Sequence, residues 1–148
     1  MRQILDLHIH SKYSRSCSPL LTLENIDAAC RVKGVDIVAT GDFTFPEWFS
    51  EIKNKLVEIT PLSPLYKGGE RTGLYRLKSA KDEKIKFILS TEVALIYKDG
   101  GKARRIHLVI HAPSLAAAEE LNNYLDKKYN IRSDGRPILG MSALELMK

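Results

Sequence analysis

The first forty residues read as a strand, a helix and a second strand in close succession, and this pattern constrains the fold more than any other. Residues 3–10 are predicted to form the first strand. Thr22 is predicted to be the N-cap of a helix that runs to about Lys33, and Gly34 follows as its C-terminal cap. Residues 35–40 are typical of a short buried strand. Because such a unit favours parallel neighbouring strands, we predict an α/β fold.

The rest of the chain continues this alternation of helices and strands. The further predicted elements are a helix opened by Pro46 that runs to about Val57, a β-hairpin of residues 84–97 and 102–111, a helix from Leu115 to about Lys128 capped by Ser114, and a last helix opened by a capping box of Ser142 and Glu145. Residues 59–73 are irregular, and a loop of this length is often functional.

Length and composition indicate one ordinary globular domain. The 148 residues are 44% hydrophobic and 28% charged, with a formal net charge of +5, which suits a polyanionic partner such as nucleic acid or a phosphorylated substrate. Cys17 and Cys30 are too few for a disulfide framework. Because the chain shows neither a signal peptide nor a long apolar run, we expect a reduced, cytoplasmic protein that does not enter a membrane.

Two histidines lie at the end of the first strand, in the segment Asp6-Leu7-His8-Ile9-His10. Residues two apart in a strand point to the same face, so His8 and His10 would share a face with Asp6. Two imidazoles about 7 Å apart along a strand can converge on a metal cluster. The alternative is a strand with two polar residues near its solvated end.

The predicted hairpin brings a carboxylate and an imidazole together. If Asp99 and Gly100 are the two turn residues, Glu92 lies opposite His107, and the pair could share a metal ion or form a cross-strand ion pair. A turn at Gly100-Gly101 would instead place Glu92 opposite Val109. We favour the first register because Asp-Gly is the stronger turn signal. His111, about 13 Å beyond His107 along a straight strand, is expected to be structural or peripheral.

Several short stretches, in order along nearly the whole chain, resemble the PHP (polymerase and histidinol phosphatase) superfamily, and within it the N-terminal part of the endonuclease Q family. The stretches are Asp6-Leu7-His8-Ile9-His10-Ser11, Lys12-Tyr13-Ser14-Arg15, Thr40-Gly41-Asp42-Phe43-Thr44, Ser90-Thr91-Glu92-Val93, Ile106-His107-Leu108-Val109 and Ser133-Asp134-Gly135-Arg136-Pro137-Ile138-Leu139-Gly140.

The resemblance implies a distorted (β/α)7 barrel, of which this chain would hold the N-terminal portion. It also implies up to three divalent metal ions, zinc or manganese, and phosphoester hydrolysis by a metal-activated water. Relatives of this kind nick DNA on the 5′ side of deaminated bases or at abasic sites. By position, His8 and His10 would hold the first ion, Glu92 would bridge the first and second, His107 would ligate the second, and Asp42 would hold the third.

Cations and aromatic side chains near these motifs are candidates for substrate binding. Arg136 ranks first because it lies in a stretch that carries the resemblance, and Arg15, Lys12 and Tyr13 follow. Lys67, Arg71 and Arg76 are further candidates for phosphate contacts. Tyr13, Phe43, Trp48 and Tyr75 could stack on an everted base, although core packing is the default for each aromatic.

The chain departs from the family pattern in two respects. It reads Thr44-Phe45-Pro46 where relatives usually read Thr-His-Pro, and nothing after His111 supplies the later histidine and Asp-x-His. We therefore expect residues 1–148 to form one PHP-type domain that is incomplete at its C-terminus. Such a domain would be nearly inactive alone, and would self-associate or be completed by a second polypeptide. The alternatives are a small-molecule phosphatase, such as a histidinol phosphatase, and a non-catalytic metal- or nucleic-acid-binding remnant.

Overall fold

The computed structural model describes residues 2–59 and 72–148. Lys67 and Arg71, with most of the predicted loop 59–73, lie outside the described residues. The elements are β1 (Leu5–Asp6), α1 (Leu23–Lys33), β2 (Ile37–Ala39), α2 (Pro46–Lys55), β3 (Leu56–Glu58), β4 (Tyr75–Leu77), β5 (Lys86–Asp99), β6 (Lys102–Ala112), α3 (Leu115–Asp126), β7 (Ile138–Leu139) and α4 (Ala143–Leu146). Among the described helices, none is both long and apolar enough to cross a membrane.

The described strands form a mixed sheet in which β5 is the central strand. Residues 86–88 of β5 pair in parallel with β2, which pairs in parallel with β1, so the predicted strand–helix–strand unit is confirmed. On its other edge β5 pairs antiparallel with β4, and β4 with β3. Residues 89–99 of β5 pair antiparallel with β6, and Ala94 and Leu95 pair in parallel with β7.

This topology confirms the predicted α/β class as an open mixed sheet, and the expectation that the chain holds the N-terminal portion of a (β/α)7 barrel stays a prediction. The described strands do not close into a barrel. The physical reason lies in the connections: β5 and β6 are joined by a tight hairpin, and β3 and β4 also pair antiparallel, whereas a barrel of this type is built from parallel strands joined by helices.

The hairpin register also differs from the favoured prediction. Asp99 pairs with Lys102, so Gly100 and Gly101 are the turn residues, and Glu92 lies opposite Val109. Both turn glycines are left-handed, with φ of 54° and 76°. A two-residue turn of type I′ requires positive φ at both central positions, and Gly-Gly meets this requirement without steric cost, whereas Asp99 would have to adopt it against its Cβ.

The helix caps follow the prediction, and the element ends differ by a few residues. Thr22 Oγ1 accepts a hydrogen bond from the Asn25 amide at 3.3 Å, and Gly34 closes α1 in the left-handed region. The predicted caps Ser114 and Ser142 are likewise present. The strand predicted over residues 3–10 is only Leu5–Asp6, and α2 ends two residues early because residues 56–58 pair with β4 instead.

Two hydrophobic clusters hold the described sheet against its helices. The larger cluster lies between strands β2, β4 and β5 and helices α1 and α2. It includes Phe43, Trp48 and Tyr75, each at most 1% exposed. These three aromatic rings are therefore core residues and cannot stack on a base. The smaller cluster packs Val93 and Leu95 of β5 against α3 and the segment that leads into β7. Glu92 directly precedes Val93 in the strand and therefore points to the opposite face of β5.

Gly41 lets the loop after β2 pass directly against the segment that carries the histidines. Its φ is 65°, and a Cβ at this position would lie 2.5 Å from the Ile9 carbonyl oxygen. Trp48 Nε1 donates to the Gly41 carbonyl at 2.9 Å, which fixes the loop against the core. Any side chain here would have to push the His10 backbone away.

We predict that Gly41→Ala destabilises the protein more than Gly100→Ala does. Both glycines have positive φ, which costs an alanine about 1 kcal/mol, but a Cβ at Gly100 meets nothing within 4 Å. Gly41→Ala adds the backbone clash, so its total cost should exceed about 2 kcal/mol. Denaturant unfolding of both variants measures the difference. Equal losses of unfolding free energy would show that the close approach at Gly41 is not a constraint.

Candidate metal centre

The candidate site is assembled where the parallel strands end. His8 and His10 follow β1, Asp42 follows β2, and Glu92 and His107 lie within β5 and β6. In parallel α/β sheets the carboxyl ends of the strands are where ligands bind, because the chain turns there away from the sheet and leaves a crevice. The structure thus brings together all five residues that the sequence proposed as metal ligands.

Glu92 is the centre of this group, and its two oxygens face different partners. Oε2 lies 2.8 Å from Nε2 of His8 and 3.1 Å from Nε2 of His10. Oε1 lies 2.6 Å from Nδ1 of His107 and 3.7 Å from Nη1 of Arg136. The Glu92 side chain is only 3% exposed, so this carboxylate sits between two groups of nitrogen atoms away from bulk water.

His107 reaches Glu92 diagonally across the hairpin. The residue directly opposite His107 is Ala94, while Glu92 faces Val109. A diagonal neighbour on the same face lies within reach of a long side chain, and the methyl group of Ala94 leaves room for the imidazole to lean toward Glu92. The contact predicted from the sequence is therefore present, although the register that led to it is wrong.

The donor atoms of His8, His10 and Glu92 suit a single divalent ion. Each residue offers one atom, and these atoms lie within 4.8 Å of one another. A tetrahedral ion with bonds of about 2.0–2.1 Å holds its ligand atoms roughly 3.3 Å apart, close to the observed separations from Glu92 Oε2. Mixed imidazole and carboxylate donors favour zinc or manganese over magnesium. His111 lies opposite Ser90 in the hairpin and is not among these three.

Asp42 supports His10 from the side away from Glu92. Its Oδ1 lies 3.0 Å from Nδ1 of His10. Its Oδ2 accepts hydrogen bonds from the Ser11 amide at 2.6 Å, the Ser11 hydroxyl at 2.7 Å and the Ser14 hydroxyl at 2.9 Å. Asp42 is fully buried and has a positive φ of 49°, which its loop tolerates because the carboxylate is held by these donors.

Gly135 completes the packing around Asp42. A Cβ on Gly135 would lie 2.5 Å from both Asp42 Oδ2 and the Ser14 hydroxyl oxygen. The Gly135 amide donates to the Tyr13 carbonyl at 3.1 Å, which ties the segment before β7 to the loop after β1. Sequence reasoning assigned no role to Ser11, Ser14 or Gly135. All three residues lie in stretches that carry the family resemblance, but no sequence spacing identifies them as neighbours of a metal site.

The electrostatics keep both carboxylates ionised. Burial raises the pKa of Glu92, but the hydrogen bond with His8 and the charge of Arg136 outweigh it and leave the pKa lowered. Burial likewise raises the pKa of Asp42, but the hydrogen bonds from His10, Ser11 and Ser14 outweigh burial and leave this pKa lowered. The pKa of His10 is raised above 6.5, chiefly by its hydrogen bond with Asp42. Burial lowers the pKa of His111.

The predicted substrate residues fall into two groups. Arg136 and Arg15 lie near the cluster, and both line a cavity beside it. Lys12 is paired with Glu51 at 2.7 Å. Tyr13 stacks on Phe45 with ring centroids 4.6 Å apart, and its hydroxyl donates to Glu51 at 3.0 Å. Arg76 pairs with Glu83, away from the cluster.

Fold and site together define an α/β protein with an imidazole–carboxylate cluster at its strand ends. Comparison with known proteins shows which of them are similar to this chain. No protein-family profile matches the chain. An uncharacterized protein of Methanocaldococcus jannaschii is 32% identical over 146 residues, which are 97% of this chain and 14% of that protein.

Two solved structures resemble the chain along nearly its whole length. One is the lesion-specific endonuclease PfuEndoQ from Pyrococcus furiosus, and the other is endonuclease Q in complex with a 27-mer duplex substrate with an abasic lesion at the active site. Each is 31% identical with a TM-score of 0.72, over 96% of this chain and 30% of the solved chain. The chain therefore spans less than a third of these structures.

We predict that His10→Ala lowers zinc affinity at least about 100-fold, because it removes a ligand and the carboxylate support behind it. His111→Ala is the matched control: it removes an imidazole from the same face of the sheet, but one outside the three-residue group. Isothermal titration calorimetry on chelator-treated protein measures both affinities. Equal losses in the two variants would contradict the assignment.

We predict a pH-dependent effect of Asp42→Asn on the stability of the metal-free protein. Because the folded pKa of His10 is raised above 6.5, its stabilising contribution is present below that pH and is lost as the pH rises through the folded pKa. Because the folded pKa of Asp42 lies below 3.8, its contribution is present above that pH and is lost as the pH falls. Asp42→Asn should therefore cost more unfolding free energy at about pH 5 than at about pH 8.

Asp82→Asn is the control for this experiment. The pKa of Asp82 is lowered to about 2 by its pairing with Arg31, so both partners stay charged from pH 5 to 8. Its cost should not change over that range, and urea unfolding with a chelator present measures both variants. An Asp42→Asn cost that is also constant would refute the His10–Asp42 coupling.

Proposed function

We propose that the chain is the N-terminal part of a PHP-superfamily nuclease related to endonuclease Q, which hydrolyses a DNA phosphodiester at a deaminated base or an abasic site. The observation that carries the proposal is the two-sided Glu92 carboxylate, with His8 and His10 at one oxygen and His107 at the other. Phosphoester hydrolysis commonly uses two ions held about 3.5–4 Å apart by shared ligands. The likeness to lesion-specific endonuclease structures supports DNA as the substrate.

In this proposal each ligand has a defined place. His8, His10 and Glu92 Oε2 would hold one divalent ion, and Glu92 Oε1 with His107 would hold a second. Divalent ions, when bound, supply an activated water and stabilise charge on the leaving oxygen. The role of Asp42 at a third ion stays a prediction. Both of its oxygens already meet protein donors, so in the described arrangement it orients the His10 ring and directs Nε2 toward Glu92.

The chain's own cations would bind the phosphate groups. Arg136 is the best placed, since its guanidinium lies 3.7 Å from Glu92 Oε1 and is 39% exposed, so it can contact both the cluster and a ligand. Arg15 is proposed as the second phosphate-binding residue, because it lines the same cavity as Arg136. Lys12 and Tyr13 are weaker candidates, because Glu51 already accepts from both side chains.

We also propose that further residues complete the site, supplied by a second polypeptide or by self-association. The open sheet supports this proposal, because apolar side chains such as Ile4, at 50% exposed, and Leu5, at 49% exposed, remain uncovered. The solved endonuclease Q structures, of which this chain matches 30%, contain more than twice as much additional polypeptide.

The test replaces the matching segment of PfuEndoQ with this chain and assays the chimera with manganese or zinc. We expect nicking of duplexes that contain an abasic site or a deaminated base, little nicking of undamaged duplex, and loss of activity at least about 100-fold in Glu92→Gln. The His111→Ala chimera is the matched control and should retain activity.

The other outcomes separate the alternatives. Hydrolysis of histidinol phosphate without nicking would replace the proposal with a small-molecule phosphatase. Metal binding without turnover of either substrate would indicate a non-catalytic metal-binding domain.

A further inference from the structure

A cavity of about 580 Å³ opens beside the metal cluster. Its walls come from residues 94–96 of β5, from Arg105 and His107 of β6, and from the segment 130–138. His107 is the shared boundary, because the same imidazole lines the cavity and contacts Glu92 at 2.6 Å. A molecule in the cavity would therefore lie immediately next to a molecule held by the cluster.

The cavity is lined by more cationic than acidic side chains. Arg15, Arg105 and Arg136 all line it, against one acidic residue, Asp134. The Asp134 carboxylate accepts a hydrogen bond from the Arg136 amide at 2.9 Å, so it shapes the loop. No described residue forms an ion pair with Arg15 or with Arg105. Guanidinium groups that line a cavity without forming an ion pair, as Arg15 and Arg105 do, are suited to phosphate oxygens, which accept paired N–H donors.

Part of the remaining lining is apolar, beside the polar residues Asn130 and Ser133. Ala94, Ile96 and Ile138 form this part of the wall, and Ile96 and Ile138 are 38% and 62% exposed. An inorganic phosphate ion has no apolar group that could contact this surface. A nucleotide has a sugar and a base that can pack on it. The volume is also in the range of sites that enclose a small organic ligand, about 300–1,000 Å³.

We propose that this cavity binds the DNA nucleotide next to the cleaved bond, with Arg105 and Arg15 holding its backbone phosphate. The inference rests on the proposed nuclease function and extends it to a second phosphate position beyond that of Arg136. Arg105 is the residue that defines it. It lies two positions before His107 in β6 and therefore on the same face of the sheet, directed toward the cavity.

Arg104 offers a matched control in the neighbouring position. It lies on the opposite face of β6, and its guanidinium donates to Asp99 at 3.3 Å. Arg105→Ala and Arg104→Ala therefore remove the same charge from adjacent residues, and only the first removes it from the cavity. Thermal unfolding and zinc titration of both variants check that fold and metal cluster are unchanged.

The experiment measures binding of a fluorescent duplex with an abasic site to the zinc-loaded chain at several salt concentrations. For Arg105→Ala we expect a loss of affinity of about 10-fold and a salt-dependence slope smaller by about 0.9, the value for one lost phosphate contact. Arg104→Ala should change affinity less than about twofold and leave the slope unchanged.

The possible failures are distinguishable. Wild-type binding with equal slopes in the two variants would overturn the cavity assignment and leave the proposed function standing. Displacement of the duplex by millimolar inorganic phosphate from wild-type protein, but not from Arg105→Ala, would assign the arginines to a free phosphate ion instead. Absence of any duplex binding by the wild-type chain would overturn this inference, while nicking by the chimera would still decide the proposed function.

Discussion

The buried Glu92 carboxylate is the constraint on which the site depends. An anion removed from water is costly unless hydrogen bonds and opposite charge compensate it, and Glu92 obtains both from three imidazoles and one guanidinium among the described residues. Its backbone lies in a strand that pairs on both edges, with β6 and β7 along its second half. Because the strand is rigid and the carboxylate is fully engaged, the surrounding side chains are positioned relative to Glu92.

The ligands that meet Glu92 come from less regular segments, and a polar network holds them in place. His8 and His10 lie beyond the end of β1, where no strand hydrogen bonds fix them. Asp42 supplies the missing restraint by joining His10 to Ser11 and Ser14. A buried network of this kind rigidifies a site when every member has a partner, and each of these groups has one. The close approach at Gly41 and Gly135 leaves the network little room to rearrange.

The predicted hairpin register is wrong, but the predicted contact between Glu92 and His107 is present. The predicted and observed registers differ by two residues, and side chains alternate between faces with a period of two. Glu92 and His107 therefore share a face in both registers, and only their relation changes, from directly opposite to diagonal. The turn itself was decided by the need for positive φ at two positions, which Gly100 and Gly101 meet together.

The sequence by itself determined the local features: the helix caps at Thr22, Gly34 and Ser142, the parallel pairing of the first two strands, and the residue types able to hold a metal. The caps follow from interactions between near neighbours in the chain, and the parallel pairing follows from the helical connection between the two strands. Only the tertiary structure decided that the described sheet stays open, that Asp42 is enclosed by Ser11, Ser14 and Gly135, and that Arg105 faces a cavity beside the cluster. The physical reason is sequence distance. These contacts join residues far apart in the chain, such as Ser14 and Gly135, which are 121 positions apart. They depend on how the whole sheet packs against its helices, which no short pattern encodes.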